Sequence, residues 1–511
     1  MNYQTKAMSI KQAKEEVKNA VIAYSAKNEY GEYKIPIERQ RPLFLVGPPG
    51  VGKTAIMEQV AAELGIGLVS YSMTHHTRQS ALGLPLIVKR NFGGTVYDIS
   101  EYTMSEIIAA VYKKIEKSGF KEGILFLDEI NCVSETLAAP MLHFFQKKEF
   151  GGHQVPPGWV VVTAGNPGGP YNKSVREFDV VTLDRLKKIV ISEDFDAWKE
   201  YADENKVHQS VITYLKLHKE DFYVIELAGD DKHIVTARAW TDLSDMIKLY
   251  EEKNIPVTKS LVEQYLQKDE IAKKFTDYYD LYNNYKSDYQ IDSILEGKFD
   301  DGIKARAKNA KLGERISLVG LLMAGLADPV MDVYYLRLGI MELTSEYRTV
   351  KTQAMLSGIS IKEALKQEIE AVGTHLEKSI IASSISDDDK RKLRYVLSVL
   401  DEESSELEKH GTGDMHADFD LLRADYKSRK EELLAKADLA LGYINNAIKF
   451  ISSVYGKEQP TVMLTTELAT NKFTSIFLAD FKSDNFLKYV DELKLSNRKL
   501  IIDGIIEKLK I

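Results

Sequence analysis

Gly47-Pro48-Pro49-Gly50-Val51-Gly52-Lys53-Thr54 brings together the residue types with which a chain holds phosphate. The spacing is G-x-x-x-x-G-K-[ST], that of a Walker A loop. Glycines let the backbone turn sharply and bring its N–H groups within reach of phosphate oxygens. A helix starting at Gly52 adds the positive end of its dipole to the same spot. Lys53 brings a mobile ammonium to the β- and γ-phosphates, and the Thr54 hydroxyl can ligate Mg²⁺. Pro48 and Pro49 remove conformational freedom, so the cradle is partly formed before a ligand arrives.

A second constellation lies downstream, where Ile124-Leu125-Phe126-Leu127 runs into Asp128-Glu129. Asp128 suits Mg²⁺ held through its water shell, as a hard oxygen ligand should. Glu129 can take the proton from, or orient, a water that attacks the γ-phosphate. The expected cofactors are therefore ATP and Mg²⁺. The loop reads phosphates and not the base, so GTP stays open.

The elements that must position these residues follow from the patterning. Leu43-Phe44-Leu45-Val46 reads as a buried strand before the loop, and Ala55 to Leu64 as a helix after it. Leu68 to Tyr71 predicts a second strand, Leu84 to Tyr97 a hairpin turning at Asn91-Phe92-Gly93-Gly94, and Met104 to Lys117 a helix. Ile124 to Leu127 is apolar throughout, as a strand buried on both faces of a parallel sheet must be. Acids at its carboxyl end sit where ligands bind in such sheets. A helix over Thr136 to Lys147, a short hairpin over Phe150 to Pro157 and a strand over Trp159 to Ala164 come next. That strand ends at Gly165-Asn166-Pro167, and Ile189-Val190-Ile191 is the fifth.

Upstream, Ser9-x-x-Gln12 is a capping box, followed by Ala13, Val17, Ala20, Val21 and Tyr24 at helical spacing. This helix should pack on the same domain. Strands alternating with helices predict an α/β three-layer domain over residues 1–195. No strand is expected beyond it. Residues 196–252 read as short helices, and 253–511 as a mostly α-helical domain broken near Asp300, Ser386, Gly411 and Gly456. Leu422, Tyr426, Leu433, Ile444, Ile448, Ile451 and Tyr455 recur as on one long helix. It would form either a helical hairpin with Lys390 to Lys409, around 390–455, or part of an ordinary bundle.

Composition narrows the classes. A chain of 511 residues, 44% hydrophobic, can build two or three cores. A net charge of −8 argues against a mainly nucleic-acid-binding surface, which needs clustered Lys and Arg. The single cysteine, Cys132, excludes an internal disulfide and fits a reducing, cytoplasmic compartment. Met1 to Gln12 mixes charges without an apolar core, unlike a secretory leader. The most apolar window, Ile316 to Ala327, is about twelve residues, too short for a bilayer and expected to end at Asp328-Pro329, so no membrane is expected.

The order of Gly47–Thr54, Leu127-Asp128-Glu129 and Gly165-Asn166-Pro167 resembles an AAA+ ATPase over about residues 1–250. The run Leu127-Asp128-Glu129-Ile130-Asn131, with hairpins flanking the third strand and its helix, resembles the MoxR-like branch. That resemblance implies roles for further residues. Asn166 would be sensor 1, positioning the lytic water. Arg185, in Thr182-Leu183-Asp184-Arg185-Leu186, would be the arginine finger reaching the γ-phosphate of the neighbouring subunit, with Arg176 its rival. Arg238, in Val235-Thr236-Ala237-Arg238-Ala239-Trp240, would be sensor 2 on a helical lid over 196–252. Many MoxR-like proteins carry Arg where this chain has Cys132, so any interaction of that Arg is in doubt here.

Other residues invite chemistry less strongly. Nothing places a base beside Cys132, which reads as a small buried residue. His75-His76 has no third ligand at zinc-like spacing and reads as structural or interfacial. Tyr278, Tyr282, Tyr285 and Tyr289 form a helical stripe that suits a packed face better than base stacking. Phe92 and Phe150 fall at hairpin tips, where a central pore or ordinary loop packing would place them.

The resemblance implies a homo-oligomer, a hexameric ring, because an arginine supplied in trans leaves one subunit incomplete. It implies ATP hydrolysis coupled to chaperone-like remodelling of a partner protein, often one with a von Willebrand factor A domain. The alternatives from other classes are a nucleic-acid-acting motor or loader, and a slowly hydrolysing nucleotide-gated scaffold.

Overall fold

Five parallel strands carry the candidate residues in the computed structural model, which describes residues 7–75, 77–168, 175, 177–228, 231–484 and 486–488. The chain divides into two compact units, Met1–Ala197 with Gly373–Lys390, and Trp198–Val372 with Arg391–Ile511.

In the first unit, α1 (Ile10–Ser25) is opened by the expected Ser9–Gln12 capping box. Strand β1 (Leu43–Val46), α2 (Lys53–Leu64), β2 (Gly67–Ser72) and α3 (Arg78–Leu82) follow. Then come the hairpin β3 (Pro85–Phe92) and β4 (Thr95–Tyr102), α4 (Glu106–Ser118), β5 (Gly123–Asp128) and α5 (Glu135–Lys147). The hairpin β6 (Glu149–Phe150) and β7 (His153–Gln154) precedes β8 (Trp159–Gly165), α6 (Val180–Asp184) and β9 (Lys187–Val190). The sheet order is β2-β5-β8-β1-β9, all pairs parallel. The strand with the acids is thus separated from the strand feeding the phosphate loop by β8 alone.

Burial explains the sheet. Leu125 and Leu127 pack on one face with Ile107, Val111 and Phe144, whereas Ile124 and Phe126 pack on the other with Ile56 and Val60. Both faces are covered, which is why β5 is apolar at every position. Ala13, Val17, Ala20 and Val21 of α1 join the second of these clusters, as the sequence predicts. Of the two readings of Phe150, packing holds: it is fully buried and stacks on Phe144 at 4.3 Å. Phe92, by contrast, is 59% exposed at its hairpin tip.

The second unit takes in α7 (Phe195–Glu204), α8 (Gln209–Leu217), β10 (Val224–Ala228), β11 (Asp231–Val235) and α9 (Ala237–Glu252). The antiparallel pair β10–β11 corrects the expectation of no strand beyond residue 195. Each strand is only five residues long and partly polar, so the alternating pattern is too brief to stand out. Next come α10 (Lys259–Tyr265), α11 (Asp269–Tyr289), α12 (Ile291–Leu295) and α13 (Asp301–Asn309). The chain continues with α14 (Leu312–Ser357), α15 (Ile361–Ala382), α16 (Asp387–His410), α17 (Met415–Tyr455), α18 (Gln459–Thr470) and α19 (Lys472–Asp480).

Helix α14 extends well beyond the apolar window expected to end at Asp328-Pro329. It runs for 46 residues straight through Pro329. A proline inside a helix costs about 3 kcal/mol. Burial of Leu318, Leu322, Leu326, Val330 and Val333 along the same helix offsets that cost. By length and composition α14 could cross a membrane, but 61% of its most apolar window is buried by protein. Helix α17 packs along α14 and is also tied to α16 by the Arg429–Glu402 pair at 2.7 Å; Val396 and Leu400 of α16 share a cluster with Leu343, Ile361, Leu365 and Leu422. The two helices sit within a bundle. The tyrosine stripe of α11 is a packed face, with Tyr282 and Tyr289 buried and Tyr278 and Tyr285 against the same core.

Candidate active site

The phosphate loop turns from β1 into α2 at Gly52, whose φ of 97° is disfavoured for any residue with a Cβ. This places Lys53 at the first helical position, 9% exposed. Its Nζ donates to the carbonyls of Gly47 at 2.7 Å and Pro48 at 3.0 Å, and to Oδ1 of Asn166 at 3.0 Å. The Thr54 hydroxyl donates to Asp128 Oδ2 at 3.3 Å. Residues from three adjacent strand ends, β1, β8 and β5, therefore converge at one carboxyl edge of the sheet.

Thr54 and Asp128 are hard oxygen donors within contact of each other. That donor set fits Mg²⁺. Glu129 sits in the left-handed region at φ 56°, and its N–H donates to Asp128 Oδ1 at 2.8 Å. The sharp turn sends the two acids in different directions. Glu129 Oε2 accepts from Ser72 Oγ at 2.7 Å and from Thr74 Oγ1 at 3.0 Å.

Ser72 and Thr74 escaped the sequence reading. They sit at and just beyond the end of β2, which pairs with β5 so that Ser72 lies opposite Asp128. Only sheet order brings them to Glu129. The 3₁₀ turn Ile130–Cys132 follows, and Asn131 Nδ2 donates to the Asn166 carbonyl at 2.7 Å. Cys132 is half-buried, not fully buried as expected. Burial, then Glu129 and Asp128, push its thiol above the ordinary range, away from a thiolate nucleophile.

Of the arginines expected from the resemblance, Arg185 is bonded to its own helix. Arg185 caps α6 and donates to the Val181 carbonyl at 2.7 Å, while its neighbour Asp184 pairs with Arg41 at 3.7 Å. Among the described residues no arginine is hydrogen-bonded to Asp128 or Glu129. Arg238 is exposed on the first turn of α9, behind the Thr236 cap, and belongs to the second unit. Arg176 and His76 lie outside the described residues.

A parallel three-layer sheet with a glycine-rich loop, a lysine at a helix start and paired acids two strands away defines a P-loop nucleoside-triphosphate hydrolase fold. Residues 43–166 match the family described as "ATPase family associated with various cellular activities (AAA)". The match runs from the first residue of β1 to Asn166, so the chain carries an AAA domain, that of a P-loop AAA+ ATPase. No curated protein matches the chain.

Proposed function

We propose that the chain is a MoxR-like AAA+ ATPase of the cytoplasm that hydrolyses ATP at the subunit interfaces of a hexameric ring and remodels a partner protein. Lys53 and the loop amides hold the β- and γ-phosphates. Thr54, and Asp128 through water, would hold Mg²⁺, which would supply neutralisation of the phosphate charge. Asn166 orients a water and Glu129 accepts its proton once the hydroxyls of Ser72 and Thr74 let it go.

The observation that carries the reading is that Arg185 is turned onto its own helix beside an exposed apolar patch, and that among the described residues no arginine is hydrogen-bonded to Asp128 or Glu129. Arg185 is bonded to its own helix, and Val180 and Val181 beside it are 82% and 51% exposed. Such apolar exposure suits a surface covered by another copy. An arginine supplied in trans stabilises transition-state charge and is worth about 10³–10⁵ in rate. The partner, in keeping with the resemblance, is a protein with a von Willebrand factor A domain.

Subunit mixing tests the ring. Lys53→Ala and Arg185→Ala proteins should each be inactive, and together should regain hydrolysis, because Arg185 of one variant meets the intact pocket of the other. No regain would remove the trans arginine. Capture on ATP-locked Glu129→Gln protein should recover a protein partner, and recovered nucleic acid with steeply salt-dependent binding would replace the remodeller by a nucleic-acid motor.

A further inference from the structure

The pair Gly165-Asn166 is gripped from two sides. On the phosphate side, the Gly47 N–H donates to the Gly165 carbonyl at 3.3 Å and Lys53 Nζ donates to Asn166 Oδ1 at 3.0 Å. On the side of the acids, Asn131 Nδ2 donates to the Asn166 carbonyl at 2.7 Å. Asn131 is 5% exposed, and its neighbour Ile130 is fully buried, so the turn that follows Glu129 is anchored. The Asn131 Oδ1 is buried and accepts no hydrogen bond. It lies over the Cα of Gly165, where a Cβ would come within 2.4 Å of Oδ1 and 2.7 Å of the amide carbon.

An unsatisfied buried acceptor costs about 1–3 kcal/mol, so the amide is held in this orientation at some expense. Turning it over would set Oδ1 against the Asn166 carbonyl. The arrangement links the phosphate loop, the end of β8 and the turn carrying Glu129 through one side chain.

We propose that Asn131 is a positioning residue that fixes Asn166 relative to Lys53 and Glu129, and that Gly165 is glycine because this amide occupies the space of its Cβ. The inference rests on the ATPase reading and adds a residue to it. Asn131 holds the main chain of Asn166, leaving the Asn166 side chain free to face Lys53 and a water. Its single donor also ties the Glu129 turn to the strand end that the phosphate loop grips.

Asn131→Asp keeps shape and volume but replaces the N–H donor by a carboxylate oxygen facing a carbonyl. Its kcat should fall about 100-fold, the loss expected when a reacting group shifts by an ångström, with KM for ATP within severalfold of the parent. A kcat near that of the parent, or a loss carried by KM and melting temperature together, would sink the proposal. A second pair of variants reads the steric half. Gly165→Ala should lower the melting temperature in the parent and much less in an Asn131→Ala background. Equal penalties in both backgrounds would overturn the contact. If the parent itself splits no ATP, the ATPase reading falls, and the melting comparison still decides whether Asn131 and Gly165 are coupled.

Discussion

The Ser72 hydroxyl donates to Glu129 across 2.7 Å, from the end of one strand to the residue just after its neighbour. A carboxylate that already accepts from Ser72 and Thr74 has those lone pairs engaged and is turned toward β2. Ser72→Ala removes the shorter of the two bonds. Basal ATP hydrolysis should rise severalfold with affinity for ATP unchanged, measured by steady-state kinetics beside nucleotide titration. Glu129→Gln should bind ATP and hydrolyse essentially none.

Lys53 should be required for binding itself. Its ammonium is buried against two loop carbonyls and Asn166, so removing it takes away the cation and a strut of the cradle. Lys53→Ala should abolish the thermal stabilisation that ATP·Mg²⁺ gives the parent, read as a shift in melting temperature. An equal shift in both proteins would place the nucleotide elsewhere.

The helical bundle should weaken as pH rises. Burial, with Asp425 adding to it, pushes the Glu403 carboxyl up to about 8 against the hydrogen bond from Tyr347. Burial and the adjacent Glu368 push Glu346 up to about 7. Both hold a proton that the unfolded chain releases above the ordinary carboxyl value of 4.5, so their contribution is fully present below that pH. It is lost as pH climbs to about 8, where the folded groups ionise too. Glu403→Gln should flatten this decline, seen as a smaller drop in melting temperature between acid and mildly alkaline buffers. An unchanged slope would remove Glu403 as its source.

Glu467 of α18 is an anchor for two largely but not fully buried ammonium groups. It meets Lys199 at 2.9 Å and Lys216 at 3.0 Å, and Lys199 also meets Asp203 at 3.1 Å. Glu467→Ala would strand Lys216 without its carboxylate partner. Breaking one side of a buried pair costs about 3–5 kcal/mol, which urea unfolding would register as a lower midpoint. A loss below about 1 kcal/mol would mean that the network behaves as an exposed one.

Much of the first unit was legible because its signals are local. The phosphate loop is eight consecutive residues, and the strands around it are apolar runs bounded by glycine or acid. The second unit was less so. Asp328-Pro329 ends the most apolar run in the sequence, and only the packing of α14 against its neighbours shows the helix continuing through it. Phe150 looked exposed at a tip because its hairpin has two-residue strands, too short to lift it away from Phe144.

The chain's own order of residues determined that a triphosphate could be held, with Lys53, Thr54 and Asp128 named before any fold was known. Those roles depend on residue type and on spacing within one strand, turn and helix. Tertiary structure decided what surrounds Glu129. Ser72 lies 57 residues before it, and Asn166 lies 35 residues beyond Asn131. Hydrogen bonds reach about 3 Å, so such pairs form only where strand order has laid distant segments side by side.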